Sequence, residues 1–337
     1  YINRIATAVP PNDIHHAFAG YAEGLLPDVR ERRLFRRMAE RSQIDQRWSC
    51  LAPAAPGANL AIDSDGFYRP GAFPSTAERM RRFETTAPDL AVQTVRRLEL
   101  GEQARSITHL IVTCCTGFAA PGLDLQIAAR LELNPSVERT LVGFMGCYAA
   151  INALKLARHI VRSEPQSQVL VVSLELCTLH LQETEDIEQA LTFLVFGDGC
   201  AAALVTAEPV GLSLDAFHVE VAREHDDQIT WNIGDQGFDM FLSGQVPTSV
   251  GRALKAGQQR ILGGARPEAI DLWAIHPGGR TVLDAVEIAF ALPPKAMAAS
   301  REVLSRFGNM SSAPVLFVLK SLMEGVTKNQ RGCTMAF

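Results

Sequence analysis

Two stretches of this chain read as copies of one unit, and that internal duplication limits the folds open to it. The first copy runs THLIVTCCTG over residues 108–117, then GFMGCYAAINALKLARHI over residues 143–160. The second runs IDLWAIHPGG over residues 270–279, then RFGNMSSAPVLFVLKSLME over residues 306–324. Cys147 follows Cys114 by 33 residues, Asn309 follows His276 by 33, and the copies are therefore offset by 162. Each copy reads as an apolar strand ending in a loop, then a glycine-containing turn that opens a mostly apolar helix. Matching loops that carry cysteine, histidine and asparagine predict an active site between the two halves.

A chain of 337 residues holds two core-bearing halves or one large α/β domain. Its 47% hydrophobic and 20% charged residues are ordinary for a globular protein. No apolar run approaches the roughly 18 residues of a membrane span. A net charge of −5 argues against nucleic acid as a general partner. Seven cysteines without paired C-x-x-C spacing argue against both a disulfide framework and a zinc site. No metal is expected, and a reducing cytoplasm is the expected compartment. No signal peptide is visible, and because the chain opens on Tyr1, residues preceding it are expected.

Along the chain, residues 1–16 read as a short strand and a Pro-Pro-Asn-Asp turn able to cap a helix. An arginine-dense helix over 29–43, an irregular surface segment over 44–74 and a helix over 75–98 precede the first unit. A strand is expected over 167–176, and a tight Gly-Asp-Gly turn leads to a small-residue strand ending at 205. The halves divide near 208–211, giving an N-terminal half (1–208) with the cysteine and a C-terminal half (209–337) with histidine and asparagine. A further strand is expected over 212–221. Apolar strands that do not alternate, set between helices, imply sheets covered on both faces.

Cys147 stands at a predicted helix start, where roughly half a positive charge and free N–H groups favour thiolate, the nucleophilic form. A small buried cysteine is the ordinary alternative, and it suits Cys50, Cys114, Cys115, Cys200 and Cys333. His276 ends an apolar strand and precedes Pro-Gly-Gly, at the strand end where open α/β sheets carry chemistry. A neutral imidazole there accepts a thiol proton or donates to an enolate oxygen. Asn309 reads either as a helix N-cap or as an amide donor beside that imidazole. Cysteine, histidine and asparagine in this order also describe papain-like hydrolases, but the local sequences do not match and that fold lacks such a duplication.

The motifs GFMGCYAAINAL, VVSLELCTLH, FGDGCAAALV, AIHPGGRTVLDAVE and FGNMSSAPVLFVLK resemble those of type III polyketide synthases, the chalcone-synthase family of thiolase-fold condensing enzymes. The resemblance spans almost the whole chain. It implies a duplicated, five-layered α/β fold, a homodimer, and iterative decarboxylative condensation of malonyl-CoA onto an acyl-CoA starter, with no metal or organic cofactor. On that resemblance Cys147, His276 and Asn309 match the catalytic triad, and Phe196 and Phe238 match two aromatic gatekeepers. Arg37 and Arg41, in RERRLFRRMAER, match two CoA-contacting positions; a third, usually lysine, is Leu34, with Arg33 or Arg36 as substitutes. Thr116, Ala120, Cys177 and His180 match cavity positions, Cys177 and His180 in a pattern like the bacterial members and Ala120 where a larger methionine often reaches across the dimer. The family's Gly-Pro-Gly loop is expected to follow Phe337. Small lining residues favour fatty-acyl starters and alkylpyrone or alkylresorcinol products. The rival readings are an initiating β-ketoacyl synthase that condenses once and a non-catalytic acyl-binding scaffold of the same fold.

Overall fold

A computed structural model of the chain describes residues 1–55, 62–221, 227–326 and 330–337. β1 (Ile2–Ala8) leads to β2 (Asn12–Asp13), α1 (His15–Leu25), α2 (Val29–Glu40) and β3 (Trp48–Ser49). Next come α3 (Thr76–Arg96), β4 (His109–Cys114), α4 (Leu123–Arg130), β5 (Glu138–Gly143) and α5 (Ala149–Ser163). β6 (Val169–Leu176), α6 (Ile187–Val195) and β7 (Asp198–Val205) complete the N-terminal half. The C-terminal half holds β8 (Ile229–Gly234), β9 (Gly237–Leu242), α7 (Val246–Ile261), β10 (Leu272–Ile275), α8 (Arg280–Phe290), α9 (Ala298–Phe307), α10 (Pro314–Met323) and β11 (Gly332–Met335).

The main sheet has the order β1-β7-β6-β4-β5, with β6, β4 and β5 parallel and β7 antiparallel to both its neighbours. Every residue of β4, β6 and β7 is buried, which explains their unbroken apolar sequences. Successive side chains leave the sheet on opposite faces. Leu110, Val112, Leu170 and Val172 meet Phe83, Ala87 and Leu90 of α3, together with Leu123 and Ile127 of α4. Ile111, Val169, Val171, Ala201 and Ala203 meet Ala150, Ala153 and Ala157 of α5 and Val315 to Leu319 of α10. Alanines on both sides let helix and sheet approach closely.

α10 also covers Ala274 of the parallel pair β10–β11, whose far face buries Trp273 and Ile275 under Leu283, Val286 and Phe290 of α8. The succession is helix, sheet, helix, sheet, helix, the five-layered α/β class the duplication implied. The central layer is α5 and α10, the two helices that begin just after Cys147 and Asn309. Cys147 and Asn309 thus stand just before the two helices of the central layer, which are packed on both sides.

Three expectations fail for identifiable reasons. Gly197-Asp198-Gly199 is not a tight turn, because Asp198 and Gly199 already pair with Leu176 and Glu175 as the first residues of β7. Residues 212–221 do not form a strand; only Leu212 bridges, to Ile2, and Val219 and Val221 are exposed without a partner strand. The segment 44–74, outside its undescribed residues 56–61, is irregular but not superficial. Arg47, Ser49, Leu51, Asp63 and Tyr68 are buried, and the Asp63 carboxylate accepts the N–H groups of Asp65, Phe67 and Tyr68. Side-chain acceptors replace the missing backbone partners, which lets an irregular loop enter a core. Among the described residues no helix is long and apolar enough to cross a membrane.

Candidate active site

Cys147 occupies a single 3-10 turn (Gly146–Tyr148) that runs into α5. Gly146 takes φ +70°, a conformation that favours glycine, and its N–H donates to Cys115 Sγ at 3.3 Å. Asn309 follows Gly308, at φ +66°, where an added Cβ would stand 2.8 Å from the Val195 carbonyl oxygen and 2.9 Å from Arg47 Cγ. Only glycine fits there. Asn309 N–H then donates to Val195 O (2.8 Å), and Asn309 O accepts from Gly197 N–H (2.9 Å). The loop that carries Asn309 is therefore pinned to the end of α6.

The Asn309 amide is fixed at both atoms. Oδ1 accepts from Ser311 N–H at 2.9 Å and Nδ2 donates to Gly278 O at 3.2 Å, so the two backbone partners decide which atom is which. Cys147 Sγ lies 4.0 Å from Oδ1. Two residues offset by the repeat length, 162, thus face each other across the joint between the halves. α10 starts only at Pro314, so Asn309 does not cap it; its oxygen closes a local turn instead. One N–H of its amide remains beyond the bond to Gly278.

His276 leaves β10 with its N–H bonded to Met335 O of β11. A Cβ on Gly278 would stand 3.5 Å from His276 Nε2, so the imidazole lies against the same backbone that holds the Asn309 amide. The residue is 1% exposed, and both ring nitrogens are buried without a hydrogen-bond partner among the described residues. An unspent buried polar pair costs about 1–3 kcal/mol per group, a cost that a substrate-binding site recovers when occupied.

Burial pushes the His276 pKa down to about 3, so the ring is neutral at physiological pH. Burial also pushes the Cys147 thiol up to about 11, against the Ser311 side chain, whose hydrogen bond favours thiolate. Burial of the lone thiol thus opposes the thiolate preference expected of a helix start. The N-terminus of α5 favours the anion and offsets part of that cost.

Glu175 went unnoticed in the sequence. It is the one acidic residue of the apolar strand β6, and that mismatch was the available signal. Fully buried, it accepts from Cys115 N–H (2.9 Å), Thr116 Oγ1 (2.8 Å) and Ser312 Oγ (2.6 Å). It thereby ties the loop after β4 to the loop of Asn309. Burial raises its pKa to about 7 despite those donors. The folded state then binds an extra proton between the ordinary carboxylate value and about 7, so stability falls as pH rises through that window and levels above it. Glu175→Gln is expected to remove about 3 kcal/mol of this pH dependence. Denaturant titrations of both proteins from pH 4.5 to 8 check it; parallel curves would contradict it.

The two phenylalanines differ in their support. Phe196 is the C-cap of α6 and bridges to Asn309. Phe238, at the start of β9, donates its N–H to His180 Nδ1 (3.0 Å) and stacks on that ring at 4.2 Å. His180 Nε2 must then carry the proton it donates to Thr116 O at 2.7 Å. His180, fully buried and with both nitrogens spent, braces Phe238 rather than offering a polar group to a cavity. Trp231 adds a second tie, donating Nε1–H to Cys115 O at 2.7 Å and packing edge-on against Phe238. Thr116 is likewise spent on Glu175 and Leu176 N–H. Cys177 is buried within electrostatic reach of Cys147 and Cys115. Ala120 is exposed, so it lines no interior space of its own subunit.

On α2, Arg32 donates to the Leu26 and Pro27 carbonyls and Arg36 pairs with Glu23. Arg30, Arg33, Arg37 and Arg41 are exposed, and among the described residues their side chains have no such partners. Steps of three and four residues place these four on one helical stripe. Of the two substitutes for Leu34, Arg36 is thus occupied and Arg33 is available. Among the described residues no group of His, Cys, Asp and Glu is arranged to hold a metal ion.

The layered fold with its inner helix ends at the joint is that of the thiolase-like condensing enzymes. The chalcone and stilbene synthase N-terminal domain family matches residues 25–209, and the C-terminal domain family matches residues 215–335. The chain is 33% identical over 336 residues to alpha-pyrone synthesis polyketide synthase-like Pks18 of Mycobacterium tuberculosis, covering 96% of this chain and 83% of that protein. It is 34% identical to bisdemethoxycurcumin synthase of rice (Oryza sativa subsp. japonica) over 264 residues, 74% of this chain and 66% of that one. PKS-I of the brown alga Ectocarpus siliculosus superposes with a TM-score of 0.83 at 27% identity, covering 96% of this chain and 89% of its own. Tetrahydroxynaphthalene synthase of Streptomyces coelicolor A3(2) shares the fold, with a TM-score of 0.87 at 23% identity over 98% of this chain and 93% of its own. The chain belongs to the chalcone and stilbene synthase family. It is a type III polyketide synthase, an acyltransferase that performs decarboxylative condensation.

Proposed function

We propose that the enzyme loads an acyl group from an acyl-CoA starter onto Cys147, extends it with malonyl-CoA units, and releases an alkylpyrone or alkylresorcinol. The observation that carries the assignment of roles is the buried, unspent imidazole of His276 against Gly278, the residue whose carbonyl holds the Asn309 amide that faces Cys147. His276 takes the thiol proton as Sγ attacks the starter thioester, the C–S bond to CoA breaks, and the departing CoA sulfur takes that proton from the imidazolium, which leaves His276 neutral. Malonyl-CoA then sheds CO₂, and the electron pair of the broken C–C bond delocalises onto the thioester oxygen. His276 and the remaining Asn309 N–H stabilise that oxygen without adding charge. The carbanion attacks the acyl-Cys147 carbonyl and expels the thiolate. Loss of CO₂ generates the nucleophile, so the scheme calls for no cofactor. The alkylpyrone reading is supported by the alpha-pyrone named for the mycobacterial relative.

The arginine stripe supports CoA binding, because guanidinium meets phosphate bidentately. Arg37 and Arg41, with Arg33 replacing the usual lysine, are assigned to the CoA phosphates. Replacing Arg37 and Arg41 together with alanine should raise the KM for CoA substrates about tenfold or more while sparing kcat, since each charge-assisted contact contributes roughly 1.5–3 kcal/mol and less where solvated. Steady-state kinetics with malonyl-CoA checks this, and an unchanged KM contradicts it.

A homodimer in the cytoplasm fits the unpaired edge of the main sheet. Every residue of β5 except the last two is exposed, and Leu141, Phe144, Met145 and Tyr148 form an apolar surface there. A free apolar edge invites a second copy, and Ala120 is then the position facing across it. The division of the chain at 208/209 into a cysteine half and a histidine–asparagine half is part of the same reading. Mass spectrometry of products from a panel of acyl-CoA starters with malonyl-CoA tests the proposal. Long-chain starters should give pyrones or resorcinols extended by more than one malonyl unit; single-round β-ketoacyl products would contradict it.

A further inference from the structure

Arg47 is 1% exposed, and among the described residues no carboxylate lies within ion-pair reach of its guanidinium. Asp13 and Asp198 favour its charge only from beyond contact, so neutral acceptors must replace the water that burial removes. Here Nη1 donates to Phe193 O (2.6 Å) and Phe196 O (2.8 Å), Nε donates to His15 Nδ1 (2.9 Å), and Nη2 reaches His15 O at 3.5 Å. The two phenylalanine carbonyls belong to the C-terminal turn of α6, where acceptors lack helical partners and the dipole is negative. The accepting Nδ1 requires a neutral His15, and burial together with Arg47 lowers that histidine's pKa to about 4. The stem of Arg47 does a second job. Its Cγ and Cδ would stand 2.9 and 3.2 Å from a Cβ on Gly308, so Gly308 lies directly on it. From Gly308 the chain passes to Asn309, whose N–H bonds Val195 O in the same α6 turn.

We propose that Arg47 is a positioning residue that holds the gate phenylalanine Phe196 and the Asn309 amide in one geometry. Its fork fixes the turn that ends in Phe196, and its stem fixes the glycine from which Asn309 projects. Lysine supplies the charge but not the planar fork that spans two carbonyls and an imidazole. The inference rests on Asn309 being a donor to the enolate, as argued above.

The test measures CO₂ release from malonyl-CoA by Arg47→Lys and Arg47→Ala, expressed per acylatable Cys147 so that unfolded protein does not count. Product chain lengths are recorded beside it. Arg47→Lys should lose about 10²-fold in kcat, the scale of a misplaced catalytic group, with KM changed less than about threefold, and should broaden the range of starters extended. Methylguanidinium should restore part of the rate to Arg47→Ala. Parental kcat and parental products in Arg47→Lys overturn the proposal. So does a variant with no acylatable sites that methylguanidinium does not rescue, because Arg47 is then a folding residue only. Asn309→Ala run in parallel separates the two ideas. If it decarboxylates normally, the donor reading fails and Arg47 stands or falls on starter range; if it is slow while Arg47→Lys is not, Arg47 alone is refuted.

Discussion

Cys147→Ala is expected to make no polyketide while still releasing CO₂ from malonyl-CoA. Removing the nucleophile of a covalent mechanism costs roughly 10⁶ in rate, enough to take product below detection. Decarboxylation needs only the groups that meet the thioester oxygen, which the proposed mechanism assigns to His276 and Asn309. The alanine keeps the start of α5 intact, because the side chains that the Cys147 thiol reaches, Ser311 and Asn309, belong to the other loop rather than to its own turn. Peptide mass spectrometry on the parent enzyme after brief exposure to an acyl-CoA should find the adduct on Cys147. The other thiols near the site, Cys114, Cys115 and Cys177, are buried with pKa values pushed up, and only Cys147 has a neutral imidazole assigned to receive its proton.

Asn309→Ala should show the complementary defect. Losing one oxyanion donor typically costs about 10² to 10³ in rate, so CO₂ release should slow by that factor while the starter still loads onto Cys147. A modest loss of stability is also expected, about 1 kcal/mol, because the amide joins Ser311 N–H and Gly278 O. The two effects separate in measurement. A purely structural asparagine would lower the melting temperature and leave CO₂ release per folded enzyme unchanged.

The repeat offset made much of this site legible before any coordinates. Equal spacing placed Cys147 and Asn309 at matching points of two units, and matching points of a duplicated fold face each other across its pseudo-symmetry. His276 was legible for the same reason, as the end of a strand equivalent to that of Cys114. Roles that depend on how polar atoms are spent were not legible. His180 has a cavity residue's sequence position, yet both of its nitrogens are bound to backbone, and only the tertiary arrangement reveals that. Arg47 stands just beyond an arginine run, and nothing in the sequence around it marks it as the buried residue it is. Glu175 was visible as an anomaly in an apolar strand but carried no hint of its three donors. The strand expected over 212–221 failed because periodicity describes a segment and pairing requires a neighbour.

The central claim is that this site divides its labour, with Cys147 carrying the chain and His276 with Asn309 making the carbanion. One measurement addresses it directly: CO₂ release from malonyl-CoA and acylation of the Cys147 peptide, followed together in the parent enzyme, Cys147→Ala and Asn309→Ala. The account predicts that Cys147→Ala releases CO₂ without an adduct and that Asn309→Ala forms the adduct with CO₂ release slowed at least about a hundredfold. Loss of both activities in Cys147→Ala, or parental CO₂ release from Asn309→Ala, would contradict it.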